Sequence, residues 1–252
     1  MPIDEIAILN CQIHNLSQQE LLEQLTQGVV VTPNIDHLMR LQKDPEFHRL
    51  YTQADYRVCD SRIIFMLCKL FYPKRHLKAQ ITGSDLFPAF CSYHKKNTDI
   101  KIFLLGGSEE SVKTAAHNIN ASNGRDIVCD YYSPPFGFEQ SDAESERIIQ
   151  RISQSEATVL AVGVGSPKQE NWIFKHKERL TNIKIHFAIG ATIEFQSGSL
   201  KRSPQWMTKM GLEWLYRLCQ EPKRLAKRYL IDDLPFLWLY TKQRLGLYKK
   251  PW

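Results

Sequence analysis

From residue 17 to about residue 190 the chain alternates between two patterns: segments with apolar residues three or four apart, and short, nearly unbroken apolar runs. The first pattern predicts helices with one buried face, and the second predicts strands covered on both sides. "SQQE" at 17–20 is a capping box that opens a helix, because Ser17 and Glu20 can each satisfy a free backbone N–H. "GVVVT" at 28–32 reads as a buried strand, and "DPEF" from Asp44 opens a second helix with Pro45 at its first position. Further β-rich runs are "YRVCD" (56–60), "IKIFLLGG" (100–107), "DIVCDYY" (126–132), "ATVLAVGVG" (157–165) and "IKIHFAIG" (183–190), with helical segments between them. Such alternation predicts an α/β fold: a Rossmann-like, mostly parallel sheet with helices on both faces and a ligand site at the carboxyl ends of the strands.

Those ends are polar or rich in glycine: "TPN" at 32–34, Asp60, Gly106 with Gly107, "GVGSPKQE" at 163–170 and "GATIEF" at 190–195. A dinucleotide fingerprint at Gly163 and Gly165 is excluded, since Lys168 occupies the third glycine position, and there is no Walker loop. A loop leading into a helix near Ser166 can still hold phosphate through backbone N–H groups. Each candidate also has a structural reading. Ser166 and Gln169 fit a capping box with Pro167 at the first helical position, and Asp60 fits a cap for "SRIIFMLCKLF". Thr32 and Asn34 fit turn residues around Pro33, and His37 fits a helix-surface histidine. The functional reading makes Asp60 a carboxylate poised to take a proton from a hydroxyl. No Ser-His-Asp order, HExxH or paired metal carboxylates stand out.

Beyond residue 200 the strands stop. At 100° per residue, Leu215, Leu218, Leu225 and Tyr229 share a stripe roughly 80° wide, provided the helix survives Pro222. Arg217, Arg224 and Arg228 flank one side of it, and Lys223 and Lys227 the other. Residues 201–252 carry 12 Lys or Arg against 4 Asp or Glu, whereas the first 200 carry 21 against 23, so the net +6 of the chain resides in the tail. Four of the five tryptophans lie there too. An apolar stripe edged by cations suits a membrane interface, and it equally suits packing on the domain or on another subunit. The division expected is an α/β core at 1–200 and a helical, basic C-terminal appendage at 201–252.

The length allows one full core, and the composition is that of a globular chain. The opening "MPIDEIAILN" lacks the features of a signal peptide, and no uncharged apolar stretch of 18 residues occurs, which predicts a cytoplasmic protein with no spanning helix. Six cysteines without a CxxC pair predict reduced, mostly buried thiols rather than a zinc site or a disulfide framework.

Taken in order, "TPNIDHL", Asp60 28 positions after Thr32, "ITGSDLF" (81–87), "FLLGG" (103–107), "YYSPPFG" (131–137), "VGVGSPKQENW" (162–172), "GATIEFQSG" (190–198) and "RSPQWMTKMGLEWLYRLCQEPKRLAKRYL" (202–230) resemble the WecG/TagA/CpsF family of bacterial glycosyltransferases. The resemblance implies an inverting, metal-independent transfer of an N-acetylmannosamine-type or glucose-type sugar from a UDP-sugar to a polyprenyl-diphosphate-linked sugar, with no cofactor. It places such an enzyme peripherally on the inner face of the bacterial cytoplasmic membrane, in cell-surface polysaccharide synthesis. It further implies that Asp60 is the catalytic base and that Thr32, Asn34, Thr82, Gly83, Gly106, Gly107, Gly163, Gly165, Gln169 and Glu170 contact substrate. Arg217, Arg224 and Arg228 would meet the acceptor diphosphate at the membrane. Nucleic acid is not an expected partner, and self-association through "MGLEWLYRLC" is compatible with the pattern. The chain departs from the family in having Ser61 and Arg62 where many members have glycine, and Gln80 where members often have arginine. A reading of another class is a non-catalytic module that uses the basic tail to bind a membrane surface or nucleic acid.

Overall fold

The computed structural model describes residues 3–252, leaving aside the side chains of Gln205, Lys209 and Arg224. The chain starts with an antiparallel pair, β1 (Glu5–Ile8) and β2 (Cys11–His14), joined by Leu9 and Asn10. The alternation expected from residue 17 onward begins too late to include this hairpin, whose four-residue strands are too short for a period of two to stand out.

Next come α1 (Gln18–Gln24), opened by the Ser17–Glu20 capping box, and β3 (Gly28–Val31). Asn34 caps α2 (Ile35–Leu41), and Asp44 with Pro45 opens α3 (Pro45–Tyr51). In "YRVCD" only β4 (Tyr56–Arg57) pairs as a ladder, although the Val58 N–H still donates to the Val31 carbonyl. Then follow α4 (Arg62–Phe71), α5 (Gly83–Tyr93), β5 (Ile102–Gly106), α6 (Glu109–Asn123), β6 (Val128–Tyr132), α7 (Asp142–Gln154), β7 (Val159–Gly163), α8 (Lys168–His176), β8 (Ile185–Ala188) and α9 (Thr192–Ser197).

Six of the strands form one parallel sheet in the order β4-β3-β8-β7-β5-β6. Alternate residues enter different cores, as the pleat requires. Phe103, Leu105, Leu160 and Val162 pack with α2, α3, α4, α7, α8 and the hairpin, whereas Ile102, Leu104, Val159 and Ala161 pack with α1, α5, α6 and α9. Both faces of the sheet are therefore buried, which is why its strands read as unbroken apolar runs. Four cysteines are buried, Cys129 is half-buried and Cys219 is exposed, and none is bridged.

The tail comprises α10 (Gln205–Lys209), α11 (Glu213–Gln220), α12 (Pro222–Lys227), a π-helical turn (Arg228–Asp232) and α13 (Pro235–Arg244). The continuous stripe expected across Pro222 does not form. Glu221 leaves the helical region at φ −130°, ψ 58°, and Pro222 starts a new helix, because its ring removes an N–H and clashes with the preceding turn. Leu225 is consequently buried, while Leu215, Leu230 and Ile231 are exposed.

In α13, Phe236 and Tyr240 are fully buried, their rings stacked 5.6 Å apart, and Tyr240 meets Phe71 at 5.9 Å. Each such burial contributes about 2 kcal/mol. The Gln243 side chain accepts from the Leu9 N–H at 2.8 Å and donates to the Ala7 carbonyl at 2.9 Å, so the tail is seamed to the first hairpin. Among the described residues no helix is long and apolar enough to cross a membrane.

Candidate active site

The carboxyl ends of the strands open into one cavity of about 690 Å³. Its floor is glycine for steric reasons. A Cβ on Gly163 would sit 2.8 Å from the Gly190 carbonyl oxygen and 2.8 Å from Ile193, and one on Gly106 would strike the Gly163 carbonyl. The ends of β5, β7 and β8 thus approach so closely that backbone, rather than side chains, faces the cavity. Gly165 differs, with φ +83° and open space around it.

Asp60 follows β4. The Asp60 N–H donates to the Pro33 carbonyl at 3.0 Å, and the Gln80 amide donates to the Asp60 carbonyl at 2.7 Å. Asp60 does not cap α4, as one reading of the sequence expects; the Ser61 hydroxyl does so by accepting from Ile64. The Asp60 carboxylate is left to face the cavity. Burial pushes its pKa up to about 7, and the negative charge of Glu213 pushes the same way. Arg217, a hydrogen bond from Asn34 and Arg228 oppose the rise. Glu213 is itself raised by burial, against the pull of Arg217.

Asn34 has two roles. Its side-chain oxygen accepts from the His37 N–H at 3.1 Å, capping α2, and from the Arg228 guanidinium at 3.4 Å. Arg228 also lies 3.7 Å from Asp36 and 3.9 Å from Asp233, whose pKa burial raises to about 7. Arg217 lines the same space, and its Nε is buried without a hydrogen-bond partner. His37 is not a surface residue. It is buried, lines the cavity and meets the Tyr51 hydroxyl at 3.1 Å through Nδ1, and burial lowers its pKa.

The capping box expected at Ser166 and Gln169 is absent. Pro167 occupies the cap position, and the Ser166 hydroxyl is buried without a partner. Gln169 instead accepts from the Gly190 N–H at 3.1 Å and donates to Glu170 at 2.9 Å, tying α8 to the turn after β8. Glu170 is buried just behind it and does not reach the cavity surface. Thr82 caps α5, and Gly83 lies against the Ile189 backbone, where a Cβ would sit 3.4 Å from the carbonyl oxygen. Arg202 bonds Asp85 and the Ser84 carbonyl, fixing the first stretch of the tail to the start of α5.

The structure therefore brings Thr32, Asn34, Asp60, Thr82, Gly83, Gly106, Gly107, Gly163, Gly165, Gln169, Arg217 and Arg228 to one cavity wall. Glu170 stands behind it, and the Arg224 side chain lies outside the described residues. Sequence reasoning missed Asp36, Glu213 and the loop Pro134–Glu139, which line it as well. Glu213 had a signal, since in "GLEWLYR" it precedes Arg217 by four residues and so shares its helix face.

A second cavity of about 310 Å³ adjoins the first. The two share Asn34, Asp60, Thr82, Glu213, Arg217 and Arg228. The remaining wall of the second is largely apolar, with Ile35, Ile63, Trp214, Leu230, Leu234, Phe236 and Leu237. Asp60 thus stands where a polar cleft meets an apolar one. The family model described as glycosyl transferase WecG/TagA/CpsF matches residues 6–250.

Proposed function

This chain belongs to the WecG/TagA/CpsF family of glycosyltransferases, and we propose that it transfers a sugar from a UDP-sugar to a polyprenyl-diphosphate-linked sugar at a membrane surface. The observation that carries the reading is the position of Asp60, which lines both the polar cavity and the apolar one. The donor occupies the first and the lipid-linked acceptor approaches through the second.

Asp60 accepts the proton of the acceptor hydroxyl as that oxygen bonds to the anomeric carbon of the donor and the bond to the diphosphate breaks. Attack opposite the leaving group inverts the anomeric centre. A carboxyl whose pKa is raised to about 7 suits this role, since about half of it is ionised at neutral pH and it is basic enough to take a proton in the transition state. UDP departs as an anion. Arg217 and Arg228, which line both cavities, and the backbone N–H groups of the glycine turns offset its charge. Membrane contact is assigned to the tail, where exposed Leu230, Ile231, Leu234, Leu237 and Trp238 accompany exposed Lys223 and Lys227.

UDP release tests the reading. The purified protein is offered a panel of UDP-sugars with and without polyprenyl-diphosphate-N-acetylglucosamine, and Asp60→Ala serves as control. Acceptor-dependent release from one donor, lost in the variant, is expected. Release that survives in Asp60→Ala removes the base from the mechanism, and silence across the panel with folded protein removes the proposed substrates.

A further inference from the structure

Phe136 is 98% exposed, although it belongs to the wall of the polar cavity. An open phenyl ring at a cleft invites a partner, and the surrounding loop is built to hold the ring in place. The Ser133 hydroxyl donates to the Gly107 carbonyl at 2.7 Å, anchoring the start of the loop to the turn after β5. Pro134 and Pro135 restrict the backbone, and Gly137 turns it at φ +81°. Phe138 is buried, 6.2 Å from the ring of Trp172. The Lys168 ammonium sits 4.3 Å from the Phe136 ring centroid and is itself held by Glu139 at 2.8 Å.

The sheet order says what reaches this ring. Asp60 follows β4 at one edge of the sheet, and the Phe136 loop follows β6 at the other. Six strands at about 4.8 Å spacing set the two edges roughly 24 Å apart, and one cavity runs between them. Between the edges lie the glycine turns after β8, β7 and β5, where backbone N–H groups suit a diphosphate. A nucleotide sugar whose sugar lies at Asp60 and whose diphosphate lies over those turns therefore directs its base toward β6. A sugar could pack its C–H face on a phenyl ring, but the sugar lies at Asp60 on the opposite edge. Of the remaining groups, phosphates gain little from such a face, whereas a nucleobase gains a stack. Contact with a bilayer is a poorer account of this ring, because the exposed apolar residues of the tail gather at the Asp60 end, around the second cavity.

We propose that Phe136 is the platform on which the nucleobase of the donor nucleotide stacks. The inference rests on the nucleotide-sugar reading given above.

Calorimetric binding of UDP, GDP and inorganic pyrophosphate to the wild type, Phe136→Ala and Phe136→Trp tests it. Phe136→Ala is expected to bind UDP about tenfold more weakly or worse, with pyrophosphate affinity unchanged. Phe136→Trp keeps the affinity, and its indole fluorescence is quenched on UDP addition. Equal UDP affinity in Phe136→Ala and wild type overturns the stack while leaving the UDP-sugar reading in place. Equal loss of UDP and pyrophosphate also overturns it, since the ring would then only organise the loop. Phe136-dependent binding of GDP in place of UDP removes the uridine donor and keeps the stack. A wild type that binds no nucleotide removes both.

Discussion

Asp60, just beyond the strand β4, and Glu213, at the first position of α11 in the tail, line the same two cavities, and the charge of Glu213 raises the pKa of Asp60. One carboxylate belongs to the sheet and the other to the appendage. The tail therefore tunes the basicity that burial gives the proposed base, Glu213 raising it and Arg217 and Arg228 lowering it.

In Glu213→Gln that like charge is gone while the shape is kept. The pKa of Asp60 should fall, so the acid limb of the kcat/KM profile, expected near pH 7 in the wild type, should move to lower pH. A limb that stays in place, with only its height reduced, would mean that Glu213 acts through binding instead.

Replacing Asp60 with Asn should abolish transfer and stabilise the fold. The folded pKa of about 7 lies above the ordinary aspartate value of 3.8, so the folded protein holds a proton that the unfolded chain loses first. Wild-type stability is consequently lost as pH rises from about 4 to about 7 and is level above that. Asp60→Asn escapes the loss, and should exceed the wild type by about 4 kcal/mol at pH 8 and by little at pH 4, as read from urea unfolding at both values. Equal stability at both pH values would show that the carboxylate is not strained by burial.

Arg228 reaches Asn34, Asp36 and Asp233 from a single guanidinium. Arg228→Ala should lower kcat/KM on the order of 10²-fold. Arg228→Lys should recover only part of this, because one ammonium cannot reproduce the fork. Full activity in the lysine variant would reduce Arg228 to a diffuse positive charge.

Two glycines of one turn should respond differently. Gly163→Ala forces a methyl against the Gly190 carbonyl and Ile193, and should cost about 2–3 kcal/mol. Gly165→Ala meets open space at a left-handed φ, and should cost about 1 kcal/mol. At this chain length the first should lower Tm roughly two to three times as far as the second. Equal shifts in the two scanning-calorimetry traces would place the constraint on backbone angle alone.

The sheet was legible because its strands are buried on both faces, so Val29–Val31 or Val159–Val162 could be nothing else of that length. The hairpin at Glu5–His14 was not, since two four-residue strands paired to each other give no clear period, and their contact with the tail, through Gln243, is one no local pattern encodes. At the site, Asp60, Asn34 and the glycine turns could be read from strand ends. The capping reading of Gln169 failed because Ser-x-x-Gln fits a cap locally, whereas its bond to Gly190 is a contact across the sheet that no local pattern encodes. Phe136 offered no periodicity, and although it lies in "YYSPPFG", only its exposure beside a cavity singles it out from its neighbours.

The meeting of two cavities at Asp60 also has a kinetic consequence. If the donor occupies the first cavity and the acceptor the second, as proposed, neither has to vacate its place for the other. On the proposed reading both are present when the sugar moves, so a ternary complex is expected, with initial-rate lines at several acceptor concentrations that intersect instead of running parallel. The order of addition then reflects how readily each entrance is reached. A water molecule admitted through the empty acceptor side is the competitor that the enzyme must disfavour.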